Sequence, residues 1–166
     1  MKKTLHFLFL ILILSSCANR TTYNYSSNNN SKNTSTARES SEGEKIVKTA
    51  KKYLGTKYKY GGITKKGLDC SGLIYVTFQE HGMTLPRISR DQAKEGKAVY
   101  IGELEAGDLI FFGATKGSKK ITHAGIVSRR EGKQVYFLHS SSSKGVIESD
   151  LSGYWGDKYI KARRVL

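Results

Sequence analysis

One cysteine in this sequence is well placed to act as a nucleophile. It lies in the run Asp69-Cys70-Ser71-Gly72, which an apolar stretch follows. Asp69 is a good helix N-cap, so we expect Cys70 in the first turn of a helix. Free backbone N–H groups and the positive helix end favour a thiolate there and lower the cysteine pKa. The same N–H groups could hold the oxyanion that forms when the sulfur attacks a carbonyl.

A cysteine nucleophile needs a base, for which the candidates are His81, His123 and His139. His81 closes the helix of Cys70, about three turns or ~16 Å from the thiol, and we assign it to the helix dipole. His123 and His139 lie on two predicted strands joined by the turn 130–132. A three-residue loop with glycine last would set the two imidazoles directly opposite each other, near enough for one to orient the other. Taken alone, the pair could equally be two unrelated polar residues at a strand end.

Other sites could use the same residue types. One cysteine and two histidines could supply three metal ligands, but the sequence has neither Cys-x-x-Cys nor His-x-x-x-His spacing, so we expect no metal and no other cofactor. The run Ser140–Ser143 lies in no Gly-x-Ser-x-Gly elbow and is expected to be a serine-rich loop. Arg163 and Arg164 end a strand and are expected to be a solvated edge.

The elements that must position these residues indicate an α+β domain, with N-terminal helices packed on a mostly antiparallel sheet. A capping box at Ser41–Glu44 predicts the first helix, and a second one at Ser89–Gln92 predicts a short helix. Short strands separated by Gly, Ser or Lys turns are predicted for residues 109–112, 124–128, 134–138, 146–147 and 159–166.

The N-terminus predicts export and a lipid anchor. Two lysines precede the apolar run Leu5–Leu14, which is too short to span a membrane, so residues 1–16 are predicted to be a signal peptide. The run ends in Leu-Ser-Ser-Cys, which resembles the lipobox of bacterial lipoproteins and implies lipidation of Cys17. Sixteen of the next twenty-four residues are Ser, Thr or Asn, so residues 17–41 are predicted to be the lipidated cysteine and a disordered tether. Residues 42–166 remain as the folded domain.

The charge of the chain is compatible with several partners. Its 28 Lys and Arg against 14 Asp and Glu give a net charge of +14, which suits nucleic acid, an anionic membrane or an acidic polymer. An export signal and the lack of a stacking-aromatic motif argue against nucleic acid.

Lipidation of Cys17 would leave Cys70 as the one free thiol in an oxidising compartment, where it must be buried or used. Residue 18, which follows the lipidated cysteine, is Ala rather than Asp. By the sorting rules of enterobacterial lipoproteins this favours the outer membrane, with the domain facing the periplasm.

A series of short motifs runs through the predicted domain in order, from about Ile46 to Leu166. The motifs are Tyr53-Leu54-Gly55-Thr56, Tyr58, Tyr60-Gly61-Gly62, Asp69-Cys70-Ser71-Gly72-Leu73, Leu85-Pro86-Arg87 with Ser89 and Gln92, Gly107-Asp108-Leu109, His123-Ala124-Gly125-Ile126, Leu138-His139-Ser140, Gly145-Val146 and Ala162-Arg163-Arg164-Val165-Leu166. A lone Asp-Cys-Ser-Gly would be a weak signal, but the ordered set behind a lipobox is specific. Together the motifs resemble the NlpC-type family of papain-like cell-wall peptidases, and in particular its murein endopeptidase lipoproteins.

The resemblance implies a papain-like NlpC-type fold and a role for each of several residues. Cys70 would be the nucleophile, His123 the general base and His139 the residue that orients the base, with the hydroxyl of Tyr58 in the oxyanion pocket. Asp69 and Ser89 fall at positions implicated in substrate binding, although both are also plausible helix caps.

The function that the resemblance implies is hydrolysis of peptide bonds in peptidoglycan stems or crosslinks, typically those reaching meso-diaminopimelate from a D-residue. The partners would be peptidoglycan and, through Cys17, a membrane, with the chain acting as a monomer. Two alternatives stay open: a non-catalytic wall-binding lipoprotein on the same scaffold, and an acyltransferase that passes the acyl group to an amine.

Overall fold

A capping box starts the first helix of the structure, a computed structural model in which residues 40–166 are described. Ser41 Oγ accepts the backbone N–H of Glu44 at 3.2 Å, and the Glu44 carboxylate accepts the backbone N–H of Ser41 at 2.9 Å. The predicted capping box is therefore confirmed. The predicted signal, the lipidated Cys17 and nearly all of the tether lie outside the described residues, so the membrane anchor stays a prediction.

Four helices, a short 3-10 helix and eight strands make up the described part of the chain. Within it no helix is long and apolar enough to cross a membrane. In chain order the elements are α1 Glu42–Lys51, β1 Ile63–Thr64, β2 Gly67–Leu68, α2 Cys70–Gln79, α3 Ser89–Gln92, β3 Lys97–Val99, the 3-10 helix Ile101–Glu103, β4 Leu109–Gly113, β5 Ile121–Glu131, β6 Gln134–Ser141, β7 Gly145–Asp150, α4 Gly153–Lys158 and β8 Tyr159–Arg164.

The strands form a small hairpin, β1–β2, and one six-stranded sheet in the order β3-β8-β4-β5-β6-β7. Every strand pair in both sheets is antiparallel. The predicted α+β class, with helices first and an antiparallel sheet afterwards, is confirmed. The short elements β1, β2, β3 and α4 were not predicted.

Alternate side chains of the sheet enter two separate cores, as the two-residue period of a strand requires. On one face Phe111 and Ile126 pack with buried residues of α1 and α2, such as Ile46 and Leu73. The opposite face has its own cluster, against which side chains from the segment around α4 pack. That second cluster contains Leu104, Ile110, Phe112, Val127, Val135, Phe137 and Ala162, with Trp155 and Tyr159 packed against it.

The β5–β6 hairpin differs from the predicted one in its loop and register. Only two residues, 132 and 133, join the strands, and a bulge at Ser128 shifts the pairing. Because Ile126 pairs with Leu138, His139 lies diagonally across from His123 rather than directly opposite it. The register moves by two positions, and an even shift keeps a side chain on its original face of the sheet.

The second predicted capping box, at Ser89–Gln92, is wrong. Helix α3 has Ile88 as its N-cap, and no side chain caps it. The Gln92 side chain is instead buried and donates to two backbone carbonyls, those of Ser71 at 3.0 Å and Pro86 at 2.9 Å. The Gln92 side chain, which a capping box would need, therefore forms a tertiary contact between α3 and the start of α2 instead.

The expectation that Arg163 and Arg164 form a solvated edge is also wrong. Arg163 donates to the carbonyl of Ala93 at 2.9 Å. Arg164 donates two hydrogen bonds to the buried carboxylate of Asp108, at 2.7 and 2.8 Å. Both arginines thus join β8 to loops that lie before β4.

Candidate active site

Cys70 is the first residue of α2, and Asp69 caps that helix as predicted. The thiol is free and partly buried. Burial, reinforced by the charge of Asp69, raises the pKa of Cys70, although the backbone N–H groups of Ala124 and Ser71 act in the opposite direction. The prediction that the helix start lowers this pKa is therefore wrong, because burial outweighs the helix end. In this arrangement Cys70 is a thiol at neutral pH.

Asp69 organises the loop around the thiol. Its carboxylate accepts backbone N–H groups from Gly72 at 2.6 Å and from Gly61 at 2.8 Å. Arg87, which sequence reasoning did not assign to any role, donates to both carboxylate oxygens, at 2.9 and 2.7 Å. Burial alone would raise the pKa of Asp69, but these hydrogen bonds outweigh it and lower the pKa. Both oxygens of Asp69 are therefore engaged within the protein.

The two histidines meet as predicted, even though the register differs. His123 Nε2 lies 2.9 Å from His139 Nδ1, and the rings are nearly perpendicular, at 84°. Burial lowers the pKa of His123 to about 4, with a further contribution from the charge of Lys158. Burial, with His123 beside it, lowers the pKa of His139 to about 3. Both rings are neutral at pH 7, and His123 lines the same cavity as Cys70.

Two neighbours of the histidine pair were not predicted. Ser149 on β7 continues the chain of hydrogen bonds, with its Oγ 2.9 Å from His139 Nε2. Trp155 on α4 stacks on His123, with ring centroids 5.0 Å apart and planes 22° from parallel. Only the tryptophan carried a signal, since it is the one Trp in the sequence, and no local pattern relates it to a histidine 32 residues earlier.

Two cavities meet at Cys70 and Tyr58. The first, of about 640 Å³, is lined by residues from the α2 start and the α3 region, including Asp69, Arg87 and Ser89. The second is lined by His123, His139 and residues of the β6–β7 turn and α4. Burial, with the charge of Asp69 beside it, raises the pKa of Tyr58, so its hydroxyl is a donor at neutral pH.

The remaining histidine of the described residues lies elsewhere. His81 Nε2 is 2.8 Å from Thr49 Oγ1, and His81 lines neither of these cavities, which agrees with its expected distance from the thiol. Its assignment to the helix dipole stays a prediction. Within residues 40–166 no group of three or more His, Cys, Asp or Glu side chains is placed to hold a metal ion. The described site brings together a thiol, two neutral imidazoles and hydroxyl groups.

Comparisons with known proteins give a consistent result. A family model described as the NlpC/P60 family matches residues 55–164. The chain is 40% identical over 124 residues to the bifunctional muramidase/DL-endopeptidase CwlT of Bacillus subtilis (strain 168), covering 74% of this chain and 36% of CwlT. It is 41% identical over 116 residues to the murein DD-endopeptidase/LD-carboxypeptidase MepS of Escherichia coli (strain K12), covering 69% of this chain and 58% of MepS.

The fold has a matching solved structure, an NlpC/P60 family protein from Bacillus cereus ATCC 10987. The TM-score is 0.69 at 31% identity, over 76% of this chain and 41% of that one. The chain thus spans less than two thirds of the length of each of these three proteins.

Proposed function

Because the chain belongs to the NlpC/P60 family, we propose that it is a peptidoglycan endopeptidase that hydrolyses peptide bonds of cell-wall stem peptides or crosslinks through a cysteine thiol. The observation that carries the proposal is the contact of His123 with His139 at 2.9 Å in a cavity that also exposes Cys70. A base held by a second polar group beside a nucleophile is the arrangement that acyl transfer requires.

The proposed mechanism begins with a neutral pair. His123 Nδ1 takes the proton of Cys70 as the sulfur bonds to the substrate carbonyl carbon, and the carbonyl oxygen becomes an oxyanion. The Tyr58 hydroxyl and the backbone N–H of Cys70 are the proposed donors to that oxyanion. The carbon–nitrogen bond then breaks as His123 returns the proton to the leaving amine, and a thioester remains.

Hydrolysis of the thioester reuses the same base. Water gives a proton to His123 Nδ1 while its oxygen attacks the thioester carbon. The carbon–sulfur bond breaks, the acid is released and the proton returns to the sulfur of Cys70. For these proton transfers His123 Nε2 must carry a hydrogen and donate it to His139 Nδ1. Because His139 Nδ1 then accepts, His139 Nε2 carries the hydrogen of that ring and donates it to Ser149 Oγ.

The proposal is tested by digesting purified sacculi with the protein and identifying the products by mass spectrometry. We expect soluble muropeptides with newly freed amine and acid ends. Products joined to an added amine would indicate acyl transfer instead. Binding to sacculi without any release would contradict the endopeptidase and favour the wall-binding alternative.

The depressed pKa of His123 predicts an unusual pH dependence. Only the neutral imidazole accepts the thiol proton, so kcat/KM should fall on the acid side with a midpoint near pH 4, the pKa of His123, rather than near its ordinary value of about 6.5. Stability also falls below about pH 6.5, because the unfolded chain then binds protons on histidines that stay neutral in the folded one. Circular dichroism at each pH identifies the range in which the protein is folded. Loss of activity near pH 6.5 in a folded protein would contradict the prediction.

Replacing Ser149 with alanine should lower kcat about fivefold with little change in KM, because a hydrogen bond of this kind contributes about 1 kcal/mol. The change removes the acceptor that holds His139 in the required tautomer. Steady-state kinetics on a soluble muropeptide measure the effect. Ser149→Thr keeps a hydroxyl and should restore most of kcat, and Ser143→Ala, on the exposed turn of the same cavity, is the matched control. A wild-type kcat for Ser149→Ala would rule out this positioning role.

A further inference from the structure

The cavity on the histidine side of Cys70 is positively charged. It has a volume of about 580 Å³, and its lining includes Lys144 from the β6–β7 turn and Lys158 from the end of α4. Among the described residues that line it there is no aspartate or glutamate. An anionic group entering this cavity would therefore meet two ammonium groups and no like charge.

Neither lysine is neutralised within residues 40–166. The ion pairs of that region include no carboxylate partner for Lys144 or Lys158, and the neighbouring Asp157 pairs with Lys116 at 2.8 Å. Lys158 Nζ lies 3.7 Å from the centroid of the Tyr154 ring, which holds the ammonium at the cavity without cancelling its charge. Its charge also reaches His123, whose pKa it helps to lower.

The turn that carries Lys144 is held firmly. The Lys144 backbone N–H donates to Ser141 Oγ at 3.3 Å, and Val146 next to the turn donates to the Thr56 carbonyl at 2.8 Å. Gly145 has a φ of 71°, and a Cβ there would come within 2.3 Å of the same Thr56 carbonyl oxygen. These contacts hold the turn against Thr56, and with it the base of the Lys144 side chain beside the cavity.

The mechanism decides which half of the substrate occupies this cavity. His123 must protonate the leaving amine, so that amine lies beside His123 when the carbon–nitrogen bond breaks. The other cavity shares Cys70 and Tyr58 but contains neither histidine. The acyl half therefore lies toward Asp69 and Ser89, and the amine half lies in the cavity of Lys144 and Lys158.

We propose that Lys144 and Lys158 form a subsite for a carboxylate on the amine half of the substrate. This inference rests on the proposed function and adds a preference to it: the enzyme selects leaving groups that carry a free carboxylate close to the scissile bond. A carboxylate both accepts a hydrogen bond from an ammonium and pairs with its charge, whereas a neutral carboxamide at the same place accepts the hydrogen bond without the opposite charge.

Two synthetic peptides test the subsite. They share one acyl half, and their amine halves end in either a carboxylate or the matching carboxamide. We expect wild-type protein to cleave the carboxylate peptide with about tenfold higher kcat/KM. Lys144→Gln and Lys158→Gln should each move that ratio toward one. Lys133→Gln, which removes the same charge from the exposed β5–β6 turn, should keep the wild-type ratio.

The outcomes separate the subsite from the proposed function. If wild-type protein cleaves both peptides equally and the ratio does not respond to either lysine, the subsite is wrong and the endopeptidase stands. If wild-type protein releases no products from sacculi and cleaves neither peptide, the proposed function is wrong, and calorimetry of the carboxylate amine product with the Cys70→Ala protein still tests the subsite. Weaker binding of the carboxylate product after Lys144→Gln or Lys158→Gln in this protein would support the subsite. Equal binding of the carboxylate and carboxamide products, with and without these substitutions, would overturn it.

Discussion

Replacing Cys70 with alanine is expected to lower kcat for muropeptide cleavage by about 10⁴-fold or more while leaving the protein folded. The sulfur is the one protein atom that bonds to the substrate in the proposed mechanism, and without it His123 would have no thiol proton to take. The substitution keeps a small residue at the first position of α2, where the Asp69 cap does not involve the Cys70 side chain. We expect the free energy of unfolding to change by no more than about 1 kcal/mol. Product release followed by chromatography measures the first effect, and thermal unfolding measures the second.

A second substitution makes the test sharper. Cys70→Ser keeps the shape of the site but replaces the thiol by a hydroxyl, which is much harder to deprotonate beside a neutral imidazole. We expect it to be nearly as inactive as Cys70→Ala, while both variants still bind sacculi. Residual cleavage by Cys70→Ala above a hundredth of the wild-type rate would exclude Cys70 as the nucleophile.

Local chemistry was enough to predict how α1 and α2 begin, but not how α3 begins. At Asp69 the cap, the backbone N–H that it accepts and the helix it starts lie within four residues of each other. At Ser89 the same kind of pattern fails because Gln92 is drawn to carbonyls of Ser71 and Pro86. A capping box specifies a helix start only where its side chains have no better partner elsewhere in the fold.

The histidine pair was predicted through a register that is wrong in detail. The prediction that the two rings meet survives this error because side chains alternate between the two faces of a sheet. A shift in register by two positions therefore leaves both rings on one face. A shift by one would have placed His123 and His139 on opposite sides of the sheet. The bulge at Ser128, which reduces a shift of three positions next to the loop to a shift of two at the histidines, has no marker in the sequence around it.

Residues that act across the fold were missed for one shared reason. Arg87 reaches a carboxylate 18 residues earlier in the chain, and Ser149 reaches a histidine 10 residues earlier, on a neighbouring strand. Neither pair has a spacing that belongs to a helix, a strand or a turn. Such contacts depend on how the elements pack, which periodicity within one element does not describe.

Replacing Arg87 with methionine is expected to destabilise the protein by about 3 kcal/mol, the largest effect on stability that we predict for a single substitution at the site. The Asp69 side chain is 10% exposed and pairs with Arg87 at 2.7 Å, so removal of the guanidinium leaves a nearly buried carboxylate without its counter-ion. The same change removes hydrogen bonds from Arg87 to the Gly62 carbonyl and to Ser71 Oγ. Urea denaturation at pH 7 measures the loss.

The pH dependence and a double variant connect that loss to the charge on Asp69. The pair lowers the pKa of Asp69, so its contribution is present above the ordinary carboxyl pKa of about 3.9 and disappears as the pH falls through the lower folded value. The difference in the free energy of unfolding between wild type and Arg87→Met should therefore shrink below about pH 4.

Adding Asp69→Asn to Arg87→Met should recover part of the stability, since no unpaired charge remains. Arg90→Met, at a neighbouring exposed arginine that has no ion pair within residues 40–166, should change stability by less than about 0.5 kcal/mol. An equally small change for Arg87→Met would show that Asp69 is held by the backbone N–H groups of Gly61 and Gly72 alone.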